Sequence, residues 1–160
     1  KKNKEILIKS PFIMKGYVSE KGLLEKPKLK NGYFLTGDLG TYQNGILSYY
    51  GRKREIIKVG GELVSLTIVE NIVYKSNLVT ECAAVGNPSL ISGEELVLFA
   101  IFKKKTNINK EINFLQKYLK KHLRDIELPK KIIPISTLPK TKSGKTIKKK
   151  LLDLYTLNHV

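Results

Sequence analysis

Apolar positions in the first fifty residues come in short runs, closed by turn signals roughly every ten residues. Glu5-Ile6-Leu7-Ile8-Lys9 and Pro11-Phe12-Ile13-Met14 predict strands on either side of Ser10-Pro11. Gly16-Tyr17 turns the chain, a polar loop passes through Gly22 and Pro27, and Asn31-Gly32 leads into Tyr33-Phe34-Leu35. Thr36-Gly37-Asp38-Leu39-Gly40 reads as a strand end that carries an aspartate between glycines. Asn44-Gly45 makes a further turn before Ile46-Leu47-Ser48-Tyr49-Tyr50, another strand.

The pattern changes at Gly51-Arg52-Lys53-Arg54. Three consecutive cations suit a linker better than a core. Beyond them Ile56-Ile57-Lys58-Val59, the turn Gly60-Gly61 and Glu62-Leu63-Val64 predict a hairpin. Thr67-Ile68-Val69-Glu70 matches a capping box, with Ser65 as the alternative cap. Leu66, Val69 and Val73 then form a helical stripe that should end near Ser76-Asn77. Val79 to Val85 reads as a strand and Asn87-Pro88 as a turn. Glu95 to Phe102 is apolar enough to be central in a sheet. Asn109 can cap a helix with Ile112, Leu115, Leu119 and Leu123 on one face and Lys110, Lys117, Lys120 and Lys121 on the other. Ile132-Ile133-Pro134-Ile135 predicts a short edge strand, and residues 146–156 a last helix. The second half therefore reads ββ-α-β-β-α-β-α, an α+β domain of about 105 residues.

Composition narrows the setting. Hydrophobic residues make up 41% of 160 positions, enough for a core. Cys82 is the single cysteine, so no intrachain disulfide forms and a reducing, cytosolic setting is expected. Within Cys82-Ala83-Ala84-Val85 it reads as a small buried hydrophobe. No apolar stretch approaches the roughly 18 residues that span a bilayer. Thirty basic against 14 acidic residues give +16. Such an excess attracts polyanions in general, or reflects codon bias towards lysine. The chain opens inside an alternating apolar segment, which is the expectation for a piece of a longer protein.

Chemistry concentrates in Leu138-Pro139-Lys140-Thr141-Lys142-Ser143-Gly144-Lys145. A Thr/Ser/Gly loop lifts Lys145 ahead of the basic run Lys148-Lys149-Lys150, and an ammonium so placed suits a phosphate or a developing carboxyl charge. Taken alone, it is a solvated surface lysine as readily as a catalytic one.

Together the segments resemble a known set. Ile13-Met14-Lys15-Gly16-Tyr17, then Tyr33 to Leu39, then Gly51 to Glu62, then Pro139 to Lys145 are similar to successive signatures of the adenylate-forming (AMP-dependent) synthetases. Gly60 to Leu66 is most similar to acyl-acyl-carrier-protein synthetases, with fatty acyl-CoA ligases the runner-up. The resemblance implies that residues 1–51 are the β-rich end of a large N-terminal adenylation domain. Residues 52–55 would be a hinge, and residues 56–160 an α+β lid made of a two-stranded hairpin and a three-stranded sheet with helices. It also implies a two-step reaction. A fatty acid and ATP, with Mg²⁺, give acyl-adenylate and pyrophosphate; a phosphopantetheine thiol of acyl carrier protein, or CoA, then takes the acyl group.

By the same resemblance, Lys145 is the catalytic lysine of adenylation. Asp38 accepts hydrogen bonds from the ATP ribose, and Arg52 reaches the ribose or phosphate. Gly60 and Gly61 line the pantetheine path, and Arg54 is the pivot, although relatives usually carry Asp or Lys there. Leu35 stands where relatives often have Arg or His. No metal ligand is assigned. The family's phosphate loop and acyl pocket have no counterpart, so the fragment is expected to be inactive alone, its partner being the missing N-terminal domain. The parent could also meet an acidic carrier protein through Lys-rich segments 110–123 and 140–150, or the inner face of a membrane. A basic nucleic-acid-binding module is the rival of another class. Its aromatic residues, however, sit in apolar runs rather than among the basic clusters, as base stacking would require.

Overall fold

The computed structural model describes residues 4–104 and 106–157, and the chain divides into two compact units between Arg54 and Glu55. The first unit contains β1 (Lys4–Ile8), β2 (Tyr17–Val18), β3 (Leu24–Glu25), β4 (Leu29–Lys30), β5 (Tyr33–Gln43) and β6 (Ile46–Arg52). The long strand β5 pairs antiparallel with β1, β4 and β6, while β2 and β3 form a separate ribbon. Pro11 to Met14 is not a strand but a turn and irregular chain. Pro11 lacks the N–H that a ladder needs. The Thr36–Gly40 segment does not end a strand either. It continues β5, which bends at Gly37, whose φ of +74° lies in the left-handed region open to glycine.

The second unit contains β7 (Ile56–Val59), β8 (Glu62–Ser65), α1 (Leu66–Lys75), β9 (Val79–Ser89), β10 (Gly93–Phe102), α2 (Ile108–His122), β11 (Lys131–Pro134) and α3 (Lys148–Leu157). This is the α+β order read from the sequence. The hairpin β7–β8 is joined to the other three strands by one bridge, Val59 to Gly93, giving a five-stranded sheet. β11 runs parallel to β10, and α2 lies in the connection between them.

β10 explains why the unit holds together. Leu96, Leu98, Ala100 and Phe102 enter a cluster with α1 and α2 residues such as Val69, Val73, Leu115 and Leu119. Val97 and Phe99 enter a second cluster with Leu138, Leu151 and Tyr155. Alternate residues of a strand point to opposite faces, so the strand is covered on both sides. Each fully buried leucine contributes roughly 1.5–3 kcal/mol relative to exposure.

Three local expectations shift. Ser65, not Thr67, caps α1: its Oγ accepts from Ile68 N at 3.4 Å, and the extended backbone at the end of β8 suits an N-cap. Thr67 instead donates its hydroxyl to Glu55 Oε2 at 2.7 Å. Asn107 rather than Asn109 caps α2, accepting from Lys110 N at 3.1 Å, which lets Ile108 pack against the first cluster. Asn87-Pro88 lies within β9, opposite Glu95 and Glu94. Among the described residues β9 pairs only with β10, and an edge strand tolerates proline.

Candidate active site

Asp38 is set by the bend in β5. The positive φ at Gly37 frees its N–H to donate to Glu5 Oε1 at 3.1 Å, while Asp38 N donates to Thr36 Oγ1 at 3.0 Å. Thr36 in turn donates its hydroxyl to Ile6 O at 2.8 Å, tying the bend to β1. The register then places Asp38 opposite Arg52, with Arg52 Nε 3.2 Å from Asp38 Oδ1. The contact is ionic and not an aligned hydrogen bond. Oδ1 is buried and accepts no hydrogen bond among the described residues. A buried acceptor with spare lone pairs suits a hydroxyl donor. Arg52 is thus the last residue of β6, not part of a linker, and Lys53 follows with its Nζ 3.6 Å from Glu5 Oε2. Arg54 lies exposed in a single 3-10 turn, Lys53–Glu55.

In the second unit Gly60 and Gly61 are the two turn residues of the β7–β8 hairpin, with φ of +56° and +88°. Two-residue hairpins favour positive φ at both positions because that twist matches the flanking strands. A Cβ at either would meet nothing within 4 Å, so the backbone faces open space. Gly60 N also donates to Ser92 O at 2.9 Å, holding the turn against the β9–β10 connection.

Lys145 sits on a closed clip between β11 and α3. Thr141 N donates to Lys145 O at 2.8 Å, Gly144 N to Thr141 O at 2.9 Å and Ile147 N to Pro139 O at 2.8 Å. Lys145 N donates to Thr141 Oγ1 at 3.1 Å, and Lys140 bridges Thr146. The Thr/Ser/Gly composition therefore has a structural purpose: the Thr141 hydroxyl satisfies the loop's own backbone and pairs with the Ser143 hydroxyl at 2.9 Å. The Lys145 side chain is exposed, with no counter-ion among the described residues. The hairpin roots through Ile57 and Val64 in the first cluster, whereas the clip roots through Leu138 and Leu151 in the second. Gly60-Gly61 and Lys145 therefore stand on elements anchored in different clusters.

Residues 68–145 match the AMP-binding enzyme C-terminal domain, from α1 to the lysine of the clip. The chain carries an AMP-binding enzyme C-terminal domain. It is 35% identical over 165 residues to a peroxisomal benzoate–CoA ligase of Arabidopsis thaliana, and 31% over 161 residues to a long-chain-fatty-acid–CoA ligase of Bacillus subtilis. The alignments take in 94% and 97% of this chain but 27% of each ligase, so the chain spans about a quarter of these relatives. Among solved structures, the o-succinylbenzoate CoA synthetase of Bacillus subtilis, in complex with an acyl-adenylate intermediate, superposes with a TM-score of 0.79. It is 27% identical over 94% of this chain and 30% of that one. Asp38, Arg52, Gly60 and Gly61 lie outside the residues matched to the domain family.

Several residues that shape the site were not anticipated. Glu5 and Thr36 build the bend under Asp38, and Glu81 and Glu70 form ion pairs with Lys140 and Lys148 at the two ends of the clip. Glu70 carried a signal, the capping-box spacing from Thr67, but a different purpose. Cys82 is buried against the Glu70 backbone carbonyl, with Sγ 3.8 Å from that oxygen. Burial first, and then the Glu70 charge, push its thiol up to about 12. A thiol so protonated is no nucleophile near neutral pH.

Proposed function

We propose that the chain is the C-terminal part of an adenylate-forming acid–thiol ligase, with Lys145 acting in the first half-reaction and the Gly60-Gly61 turn in the second. The observation that carries this reading is a domain match ending on a lysine that is exposed, lacks a counter-ion and stands on a loop closed by its own hydrogen bonds. In the first step a carboxylate oxygen attacks the α-phosphorus of ATP, and the bond to the β-phosphate breaks to release pyrophosphate. Lys145 supplies positive charge where the carboxylate and α-phosphate negative charge converges. In the second step a thiolate attacks the acyl carbon and AMP leaves. The backbone at Gly60-Gly61, free of side chains, lets a narrow pantetheine arm pass close by.

Asp38 Oδ1 is the acceptor for a ribose hydroxyl, and Arg52 beside it steers the nucleotide. No group of three His, Cys, Asp or Glu side chains that could hold a metal ion converges among the described residues, and Mg²⁺ would enter with the phosphates of ATP. The two steps call on elements anchored in different clusters of one domain, which supports a pivoting lid. The division between Arg54 and Glu55 supports placing the pivot there. The two CoA ligase relatives favour CoA as acceptor ahead of an acyl carrier protein, and a carboxylic acid, aliphatic or aromatic, as substrate. The exposed lysines of α2, Lys110, Lys117, Lys120 and Lys121, are what favour an acidic carrier protein instead.

The test is the full-length protein, given ATP and acids of several lengths, with CoA and carrier protein offered separately. Lys145→Ala should lower acyl-adenylate formation by about 10²–10³, the effect of removing one preorganised donor. Thioester formation from supplied acyl-adenylate should be spared. Equal loss of both steps, or a wild-type protein that forms no acyl-adenylate, refutes the assignment.

A further inference from the structure

We propose that Glu70 is a positioning residue for Lys145, acting through Lys148 to fix the start of α3 and hence the clip three residues upstream. The proposal rests on the reading of Lys145 given above. Glu70 projects from α1, and its Oε1 lies 2.9 Å from Lys148 Nζ while accepting the Ala84 N–H at 2.8 Å. That N–H belongs to the edge strand β9, so Glu70 is locked to the sheet before it meets the lysine. Lys148 Nζ is buried and makes no aligned hydrogen bond among the described residues; its contact with Glu70 is ionic.

Two further features make this pair matter. Lys148, Lys149 and Lys150 open α3, and its first turn carries no acid. Cations at a helix N-terminus face the positive end of the macrodipole, which loosens the first turn. Glu70 offsets that charge from a neighbouring helix. The other end of the clip is held differently: Lys140 Nζ reaches Glu81 Oε2 at 2.6 Å, but both side chains are about two-fifths exposed. An exposed pair is worth little, whereas removing one partner of a shielded pair strands the other charge. Both ends of the clip are thus tied to β9, and the Glu70 end is the stronger tie. A lysine that must meet charge developing on a reacting group depends on such support, because small misplacements cost rate.

Glu70→Gln and Lys148→Met, singly and together, test this in the full-length protein. Each single variant should lower kcat for acyl-adenylate formation about tenfold, with KM for ATP changed less than about twofold. The double variant should be no worse than either single, since both remove one interaction. Thioester formation from supplied acyl-adenylate should stay within about twofold of wild type, and tryptic cleavage between Lys140 and Lys150 should accelerate about tenfold. An unchanged adenylation rate in Glu70→Gln overturns the proposal, as does a parallel fall of both half-reactions that tracks a lowered Tm. A wild-type protein without adenylating activity would remove the role of Lys145 itself. An active wild type with an indifferent Glu70→Gln removes only the positioning role.

Discussion

The two units are built from the same kinds of strand and finish in opposite conditions. In the second, β10 is sealed on both faces, with Val97, Leu98 and Ala100 fully buried. In the first, Leu39 is the one large hydrophobic residue that counts as buried among the described residues. Phe12, Val18, Tyr42 and Ile46 stand exposed, and an open hollow of about 730 Å³ lies against Ile6, Ile8, Tyr42 and Leu47. A sheet with an apolar face needs a second layer to cover it. The second unit supplies its own in α1, α2 and α3. The first has strands, turns and a polar network but no helix among its described residues. Among the described residues, the sheet around Asp38 is ordered by hydrogen bonds and has no covering layer of its own.

This contrast is testable at one residue in each unit. Leu98→Ala, at a site with no exposure, should destabilise the second unit by about 2–5 kcal/mol in denaturant unfolding. Leu47→Ala, at 54% exposure, should change stability by no more than about 0.5 kcal/mol. A loss at Leu47 as large as that at Leu98 would mean the first unit has a core after all.

Matched turns sharpen the comparison. Asn44-Gly45 closes β5–β6 with φ of +51° and +78°, and Gly60-Gly61 closes β7–β8 with nearly the same angles. Alanine at Gly45 or Gly61 faces the same left-handed penalty of about 1–2 kcal/mol. Only Gly61→Ala should appear as a loss in the cooperative unfolding of the second unit. It should also slow thioester transfer more than adenylation. Equal effects of the two substitutions on global unfolding would erase the distinction.

A pH-dependent effect concerns Cys82, inside the sealed unit. Its native pKa of about 12 exceeds the unfolded value of about 8.5, so above that lower value the unfolded chain holds fewer protons. Stability should therefore fall as pH rises from about 8.5 towards 12. Relative to Cys82→Ala, the wild type should lose roughly 1–2 kcal/mol more between pH 8.5 and 10 in denaturant titrations, and an identical slope in both would refute this.

Some of the molecule could be read directly from its residues. The two-sided apolar run of β10, the stripe Leu66, Val69 and Val73, and the face Leu115 and Leu119 are periodic, and periodicity maps onto burial wherever a second layer is present. The element order of the second unit and the family resemblance followed from such local signals. Pro11–Met14 and Asn87-Pro88 changed element type, whereas the cap errors were local, one or two residues at Asn107 and Ser65. There the winning cap was the one that let Ile108 or Leu66 reach the core.

The amino-acid sequence by itself determined the order of helices and strands in the second unit, the turn glycines and the presence of a lysine on a hydroxyl-rich loop. All of these depend on neighbours a few positions apart. Tertiary structure alone decided which partner each acid serves: Glu5 the Gly37 N–H under the Asp38 bend, Glu81 Lys140 and Glu70 Lys148. Pairing between residues 32 to 78 positions apart is set by how strands and helices stack in space. A carboxylate carries no sequence mark of the partner it will meet.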